Sequence, residues 1–169
     1  MILELFGATQ ENAYFAIRAA LFALALLPMF GISATVALGW FFGLPIYTTA
    51  IISVLGNFAP VPIVIIFVRS ALDWMRRKSV RLGKIADKLE QRAKNRSSRL
   101  ERGEFIGLMI YVAAPIPFIP GTGAWTGSLI AGVFGMRLKT AISAIGIGVV
   151  IGTIIMTIAT YGVLGWIFG

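Results

Sequence analysis

The stretch that decides the architecture is FIGLMIYVAAPIPFIPGTGAWTGSLIAGVFGMRLKTAISAIGIGVVIGTIIMTIATYGVLGW, Phe105–Trp166. Its only charged residues are Arg137 and Lys139, and it far exceeds the ~20 apolar residues that one helix needs to cross a bilayer. Three prolines and two glycines in PIPFIPGTG (Pro115–Gly123) exclude regular helix there. This leaves Phe105–Ala114 and Ala124–Gly135, 10 and 12 residues, each about 15–18 Å of helix, or half a bilayer. Leu138–Trp166 is long enough to cross completely. The spacing predicts a re-entrant helical hairpin followed by a full crossing.

The N-terminal half repeats the plan. Sliding it by 92 positions pairs Pro28 with Pro120, Gly31 with Gly123, Phe42-Gly43 with Phe134-Gly135, Thr48 with Thr140 and Gly56 with Gly148, without a gap. Several of these are the residues that interrupt helices. The first half therefore reads as an arm before Pro28, a break at Pro28–Gly31, an arm to Gly43, and a crossing from Ile46 to Trp74. The fold class expected is all-α integral membrane: an inverted repeat of two halves, each a re-entrant helical hairpin plus a long transmembrane helix. Residues 1–75 form the first membrane half, 76–103 a basic loop, and 104–169 the second half. Three ordinary crossings per half would give the same parity; segment length favours hairpins.

Charge sets the orientation. Of the residues, 58% are hydrophobic and 13% charged, against about 25% charged in soluble domains. Eleven of the 15 basic residues lie in Arg76–Arg102 against three acidic ones, which accounts for the whole net charge of +8. Joined to two membrane blocks, this run reads as a cytoplasmic topology determinant rather than a nucleic-acid surface, with no partner beyond anionic lipid. Arg137 and Lys139 then lie on the same side, while Gly43-Leu44-Pro45 turns on the outside. Within the loop, Val80, Leu82, Ile85, Leu89 and Ala93 fall near one helical face, fitting a short helix on the cytoplasmic leaflet or else a mobile linker. Met1–Phe15 lacks a basic segment before its apolar stretch, so no removable signal peptide is expected.

The chemistry is bounded by what is missing. There is no cysteine or histidine, and no acidic residue between Glu11 and Asp73 or after Glu104. Disulfides, thiolate or imidazole metal sites and histidine-activated nucleophiles are excluded, and no metal, cofactor or enzymatic role is expected. The membrane-embedded carboxylate on which proton-coupled exporters of the small multidrug resistance type depend is missing too. The densest motif is Pro120–Gly127, PGTGAWTG. Its glycine spacing fits no phosphate-loop fingerprint and no Lys-Ser/Thr pair follows. It reads instead as an unwound tip whose backbone groups and helix start meet a polar or anionic substrate, or as a packing turn whose threonines satisfy freed backbone groups.

Asn57, beside Pro60 and Pro62, breaks the first crossing near its middle; it binds substrate or a neighbouring helix. Gly146, Gly148 and Gly152 read as helix packing, and Arg18 as a side chain reaching the outer interface.

At Gly56-Asn57 with Ala59–Pro62, and at Pro120–Gly127, the chain resembles the small multidrug export protein family of prokaryotic membrane proteins, over nearly its whole length. That family is distantly similar to the DedA-like (VTT) proteins, whose facing re-entrant hairpins match the layout above and whose relatives include polyprenyl-phosphate carriers and lipid scramblases. Family members carry a Glu-Leu-Arg-Gly-Ala-Ile-Pro-like stretch at the first tip. Here Gly31–Ala37 reads GISATVA, so roles of that Glu and Arg do not transfer.

The resemblance implies a prokaryotic plasma-membrane transporter. The residues that would meet substrate at the two tips, near the midplane, are Ser33, Thr35, Asn57, Thr122, Gly123, Trp125 and Thr126. Missing carboxylates and positive helix ends point to an amphipathic or lipid-type anion rather than a bare organic cation. A multidrug cation exporter and a non-transporting structural subunit are the rivals. The expected partners are the lipid bilayer and that small substrate, with no nucleic acid; a homo-oligomer is compatible with the glycine-rich faces.

Overall fold

The computed structural model describes residues 10–28, 30–78, 101–114 and 123–164, together with Lys84, Asp87, Lys88, Gln91 and Trp166. Among these the chain is helical, with no strand. The elements are α1 (Gln10–Ala25), α2 (Ile32–Phe41), α3 (Ile46–Phe58), α4 (Val61–Lys78), α5 (Glu101–Ala113), α6 (Ala124–Val133) and α7 (Leu138–Thr157), the last continuing as a π-helix over Ile158–Leu164. The Pro115–Thr122 break and the whole of the loop's apolar face, Val80, Leu82, Ile85, Leu89 and Ala93, lie outside the described residues.

Helix ends recur 92 residues apart. Ile32–Phe41 becomes Ala124–Val133, and the starts at Ile46 and Leu138 keep the same offset. The turns between them share one geometry. Gly43 and Gly135 have φ of 68° and 65°, and each helix closes with the same pair of bonds. Gly43 N–H donates to Trp40 and Leu44 N–H to Gly39; Gly135 N–H donates to Gly132 and Met136 N–H to Ala131. This is the Schellman termination, and its apolar residues, Leu44 and Met136, are buried. A Cβ at Gly43 or Gly135 would meet nothing within 4 Å, so the positive φ alone opposes a side chain. Gly43→Ala and Gly135→Ala should each lower unfolding stability by about 1 kcal/mol, measured by denaturation in detergent.

Among the described residues two stretches are long and apolar enough to cross a membrane, Ile46–Met75 and Leu138–Val163, yet only 33% and 44% of their most apolar parts are buried. A core helix of a soluble protein would be mostly covered. Here Phe41, Tyr47, Ile63 and Phe67 are 73, 80, 70 and 72% exposed, an apolar exterior that needs lipid around it. At the end of α4, Lys78 Nζ lies 4.6 Å from the Trp74 ring centre, an aromatic–basic pairing suited to the membrane–water boundary. The described helices have the length, composition and apolar exterior that fit a helical membrane protein. The first long stretch is interrupted at Ala59-Pro60, because Pro60 and Pro62 lack the N–H groups that would bond the Gly56 and Phe58 carbonyls. The second is uninterrupted but widens into π geometry.

The core forms around α7. Ala141, Ala144, Ile145 and Val149 are fully buried and cluster with Ile32 and Val36 of α2, Val61 and Ile65 of α4, and Leu108 and Val112 of α5. The small residues of α7 admit close neighbours. A Cβ at Gly148 would sit 2.7 Å from the Met109 carbonyl oxygen of α5, and one at Gly56, 92 residues earlier, would collide with the Ala25 Cβ of α1.

The halves also clasp one another reciprocally. Arg69 Nη2 of α4 donates to the Met136 carbonyl in the second turn. Tyr161 OH of the π-helix donates to the Leu44 carbonyl in the first turn, at 2.8 Å. Positions 69 and 161, and 44 and 136, again differ by 92.

Candidate functional site

The expected tip residues fall at the starts of α2 and α6. Gly31 and Gly123 are the residues before those helices, neither with a side-chain cap. Gly123 adopts φ 105° and ψ −148° and is buried, a conformation open essentially to glycine. Ser33, Trp125 and Thr126 are half-buried. Thr35 is buried, and its hydroxyl is spent on the Gly31 carbonyl at 3.1 Å. The Trp125 indole Nε1 is buried without a hydrogen-bond partner. Thr122 lies outside the described residues.

α2 and α6 both rest on α7: Ile32 approaches Gly152, while Gly127 packs against Val112, Leu108 and Ile145. Between themselves they make at most a marginal contact. The wall they share is α7, not each other.

Asn57 belongs to a different feature. It is 1% exposed, and its Nδ2 donates to the Ser53 carbonyl at 2.9 Å. Thr49, Ser53 and Asn57 recur every four residues along α3, so they form one stripe. Thr49 Oγ1 meets Tyr161 OH at 2.8 Å, and a Cβ at Gly146 would meet the Phe58 ring at 3.0 Å. These two contacts make α3 and α7 antiparallel. On α7, Gly146, Thr153, Thr157 and Tyr161 follow each other at seven, four and four residues, again one face. At its Tyr161 end that face meets the α3 stripe through Thr49, which also packs against Gly39 of α2.

The result is a seam of Thr49, Ser53, Asn57, Thr153, Thr157 and Tyr161 between the two long helices, in which Thr49, Ser53, Asn57 and Thr153 are at most 1% exposed and Thr157 6%. The Ser53 Oγ, Thr153 Oγ1 and Thr157 Oγ1 atoms have no hydrogen-bond partner. Tyr161 has a single proton and gives it to Leu44, so the Thr49 hydroxyl must be the donor in the Thr49–Tyr161 bond. Sequence reasoning found only Asn57 of this group. The signal was available as hydroxyls at four-residue spacing in two otherwise apolar helices.

A concavity opens outward between α5 and α6. It holds about 320 Å³ and is lined by Leu108, Tyr111, Ile130, Phe134 and Met136, with Glu104. Its walls are apolar, as a lateral groove for lipid tails would be. No group of three or more His, Cys, Asp or Glu side chains that could hold a metal ion occurs among the described residues.

Comparison with curated proteins and with solved structures finds no significant match. Residues 17–155 match the family described as "Putative small multi-drug export protein". That span takes in α2, α3, α4, α5, α6 and nearly all of α7. It holds both glycine turns, and with them the offset of 92. The chain belongs to the small multi-drug export protein family.

Proposed function

We propose that this chain is a multi-pass exporter of small amphipathic molecules, built as an inverted repeat whose halves exchange conformations to expose a central site to either side. The observation that carries this reading is the reciprocal clasp. Arg69 reaches the Met136 turn and Tyr161 reaches the Leu44 turn, so each half contacts the other through the same pair of positions. Such exchange is the signature of a two-fold relation. With α3 and α7 antiparallel, the axis lies across those helices, in the membrane plane. Transporters of this design alternate by rocking one repeat against the other around a midplane site. The substrate then meets Ser33, Thr35, Asn57, Thr122, Gly123, Trp125 and Thr126, its polar end at the helix starts and its apolar part toward the lateral groove. The basic loop 76–103 faces the cytoplasm of a prokaryotic cell.

Topology is tested first. The native chain has no cysteine, so Phe42→Cys and Phe134→Cys, both at exposed positions, label without background. Impermeant thiol reagent should modify the first only from outside and the second only from the cytoplasm. Labelling from one common side removes the inversion.

Flux is tested in liposomes loaded separately with a lipophilic dye cation and a phospho-lipid. Export of the phospho-lipid supports the anion preference, and export of the dye alone reverses it. Thr126→Val removes a hydroxyl without changing shape; it should lower flux severalfold and leave the melting midpoint nearly unchanged, because a hydrogen bond is worth only about 1 kcal/mol net. If neither compound crosses, the chain is a structural subunit.

A further inference from the structure

Ser and Thr inside helices ordinarily turn their hydroxyls back onto the carbonyl four residues earlier. Thr35 and Ser128 do so here, to Gly31 and Ala124. Ser53, Thr153 and Thr157 have no such bond, although they are buried in the seam between α3 and α7. Three forgone local bonds, on two stripes joined at Thr49–Tyr161, leave three buried oxygens without a protein partner. We propose that the seam binds one dehydrated alkali-metal cation, sodium or potassium, between Ser53, Thr153 and Thr157.

The ligand chemistry selects that class. Every donor in the seam is a neutral oxygen. Thr49 spends its proton on Tyr161, so its lone pairs stay available. Asn57 spends its amide N–H on Ser53, leaving its carbonyl oxygen. Further along α3, Pro60 and Pro62 cannot donate to the Gly56 and Phe58 carbonyls. Hard oxygens suit alkali and alkaline-earth ions, but a divalent ion in a buried site needs carboxylates to balance its charge, and the seam holds none. A proton has no carboxylate or imidazole carrier there either. The widening of α7 into π geometry at Ile158, one residue past Thr157, resembles the local helix distortions that mark ligand sites elsewhere. An exporter with no acidic residue in its two long crossings between Ile46 and Val68 or Leu138 and Leu164 gains a coupling ion in this way. The binding itself does not depend on the export reading.

The test uses the purified full chain in detergent, with thermal unfolding followed in sodium, potassium and choline chloride at equal ionic strength. The midpoint should rise by several degrees in sodium or potassium over choline, in a saturable manner, and the two salts identify the ion. Thr153→Val and Thr157→Val keep shape and lose the hydroxyl. Each should keep or raise the midpoint in choline, because an unpaired buried hydroxyl is removed, and each should abolish the ion-dependent rise. Thr140→Val, in the first turn of α7 and outside the seam, should keep it. Ser53→Ala tests the opposite wall should the valine variants fail to fold. Equal midpoints in all three salts, as expected if the hydroxyls hold only water, overturn the proposal. So does an undiminished rise in the seam variants.

Discussion

Gly148→Val should prevent the chain from accumulating in folded form, or lower its melting midpoint by several degrees. Even the first added carbon would lie 2.7 Å from the Met109 carbonyl oxygen and 2.8 Å from the Val112 Cβ. Both belong to the backbone or its root, so no rotamer change relieves the contact, and α5 must move away from α7. Among the described helices this is the most extensive pair. Overpacking of a close-packed interior costs about 1–3 kcal/mol, and more where the backbone must shift. Against this, leaving glycine would by itself favour the helix by up to about 1 kcal/mol. The sign is therefore decided by packing. Gly148→Ala should already destabilise, while Gly107→Ala, inside α5 with nothing within 4 Å of its added carbon, should be neutral or mildly stabilising. Gly56→Val should behave like Gly148→Val, through Ala25. Detergent-solubilised yield and thermal unfolding of the four variants decide it. Equal stability of the Gly107 and Gly148 alanine variants would show that α5 does not sit against α7 as described.

These glycines also show what sequence reading can reach. Gly43, Gly135, Gly56 and Gly148 were found through their register, because glycine and proline act locally: each fixes a helix end or admits a neighbour whatever the remaining packing does. The helix starts at Ile32, Ala124, Ile46 and Leu138 follow from them. The seam was hidden for the opposite reason. A serine or threonine in an apolar run scores as a tolerated polar residue, and nothing local says which of two helices will face it. Only the antiparallel contact of α3 with α7 turns two sparse stripes into one feature. The π-helix at Ile158–Leu164 replaces the plain helix expected as far as Trp166, and the sequence there, IATYGVL, carries no breaker except Gly162. The widening aims Tyr161 at the Leu44 turn, a tertiary demand that no window of seven residues reports. Arg69 was legible only as a charge within an apolar block; its partner, a backbone carbonyl 67 residues away, has no sequence signature.

The two clasps should control the two sides of the membrane separately. Both are closed at once in this structure, as an occluded state of the proposed exporter requires. Tyr161 holds the Leu44 turn, placed outside in the proposed orientation, and Arg69 holds the Met136 turn, placed in the cytoplasm. Tyr161→Phe deletes one hydroxyl and keeps the ring. The Thr49 hydroxyl also loses its partner but can turn back onto the carbonyl four residues earlier, so the net loss is one bond of about 1 kcal/mol, which changes the ratio of open to closed forms about fivefold. A cysteine at Ser53, in the fully buried part of the seam, should then react about fivefold faster with small thiol reagents added from outside, and no faster from the cytoplasm. Arg69→Leu should act from the cytoplasmic side alone. Its effect should be larger, because hydrogen bonds to charged groups contribute about 1.5–3 kcal/mol, or roughly ten- to a hundredfold in opening. Each single variant tips the balance between the two sides and should reduce net export. The double variant loosens both clasps and should recover part of it, a non-additive outcome that simple destabilisation does not produce. If either single variant raises labelling equally from both sides, the clasps are ordinary packing contacts and the two turns do not act as gates.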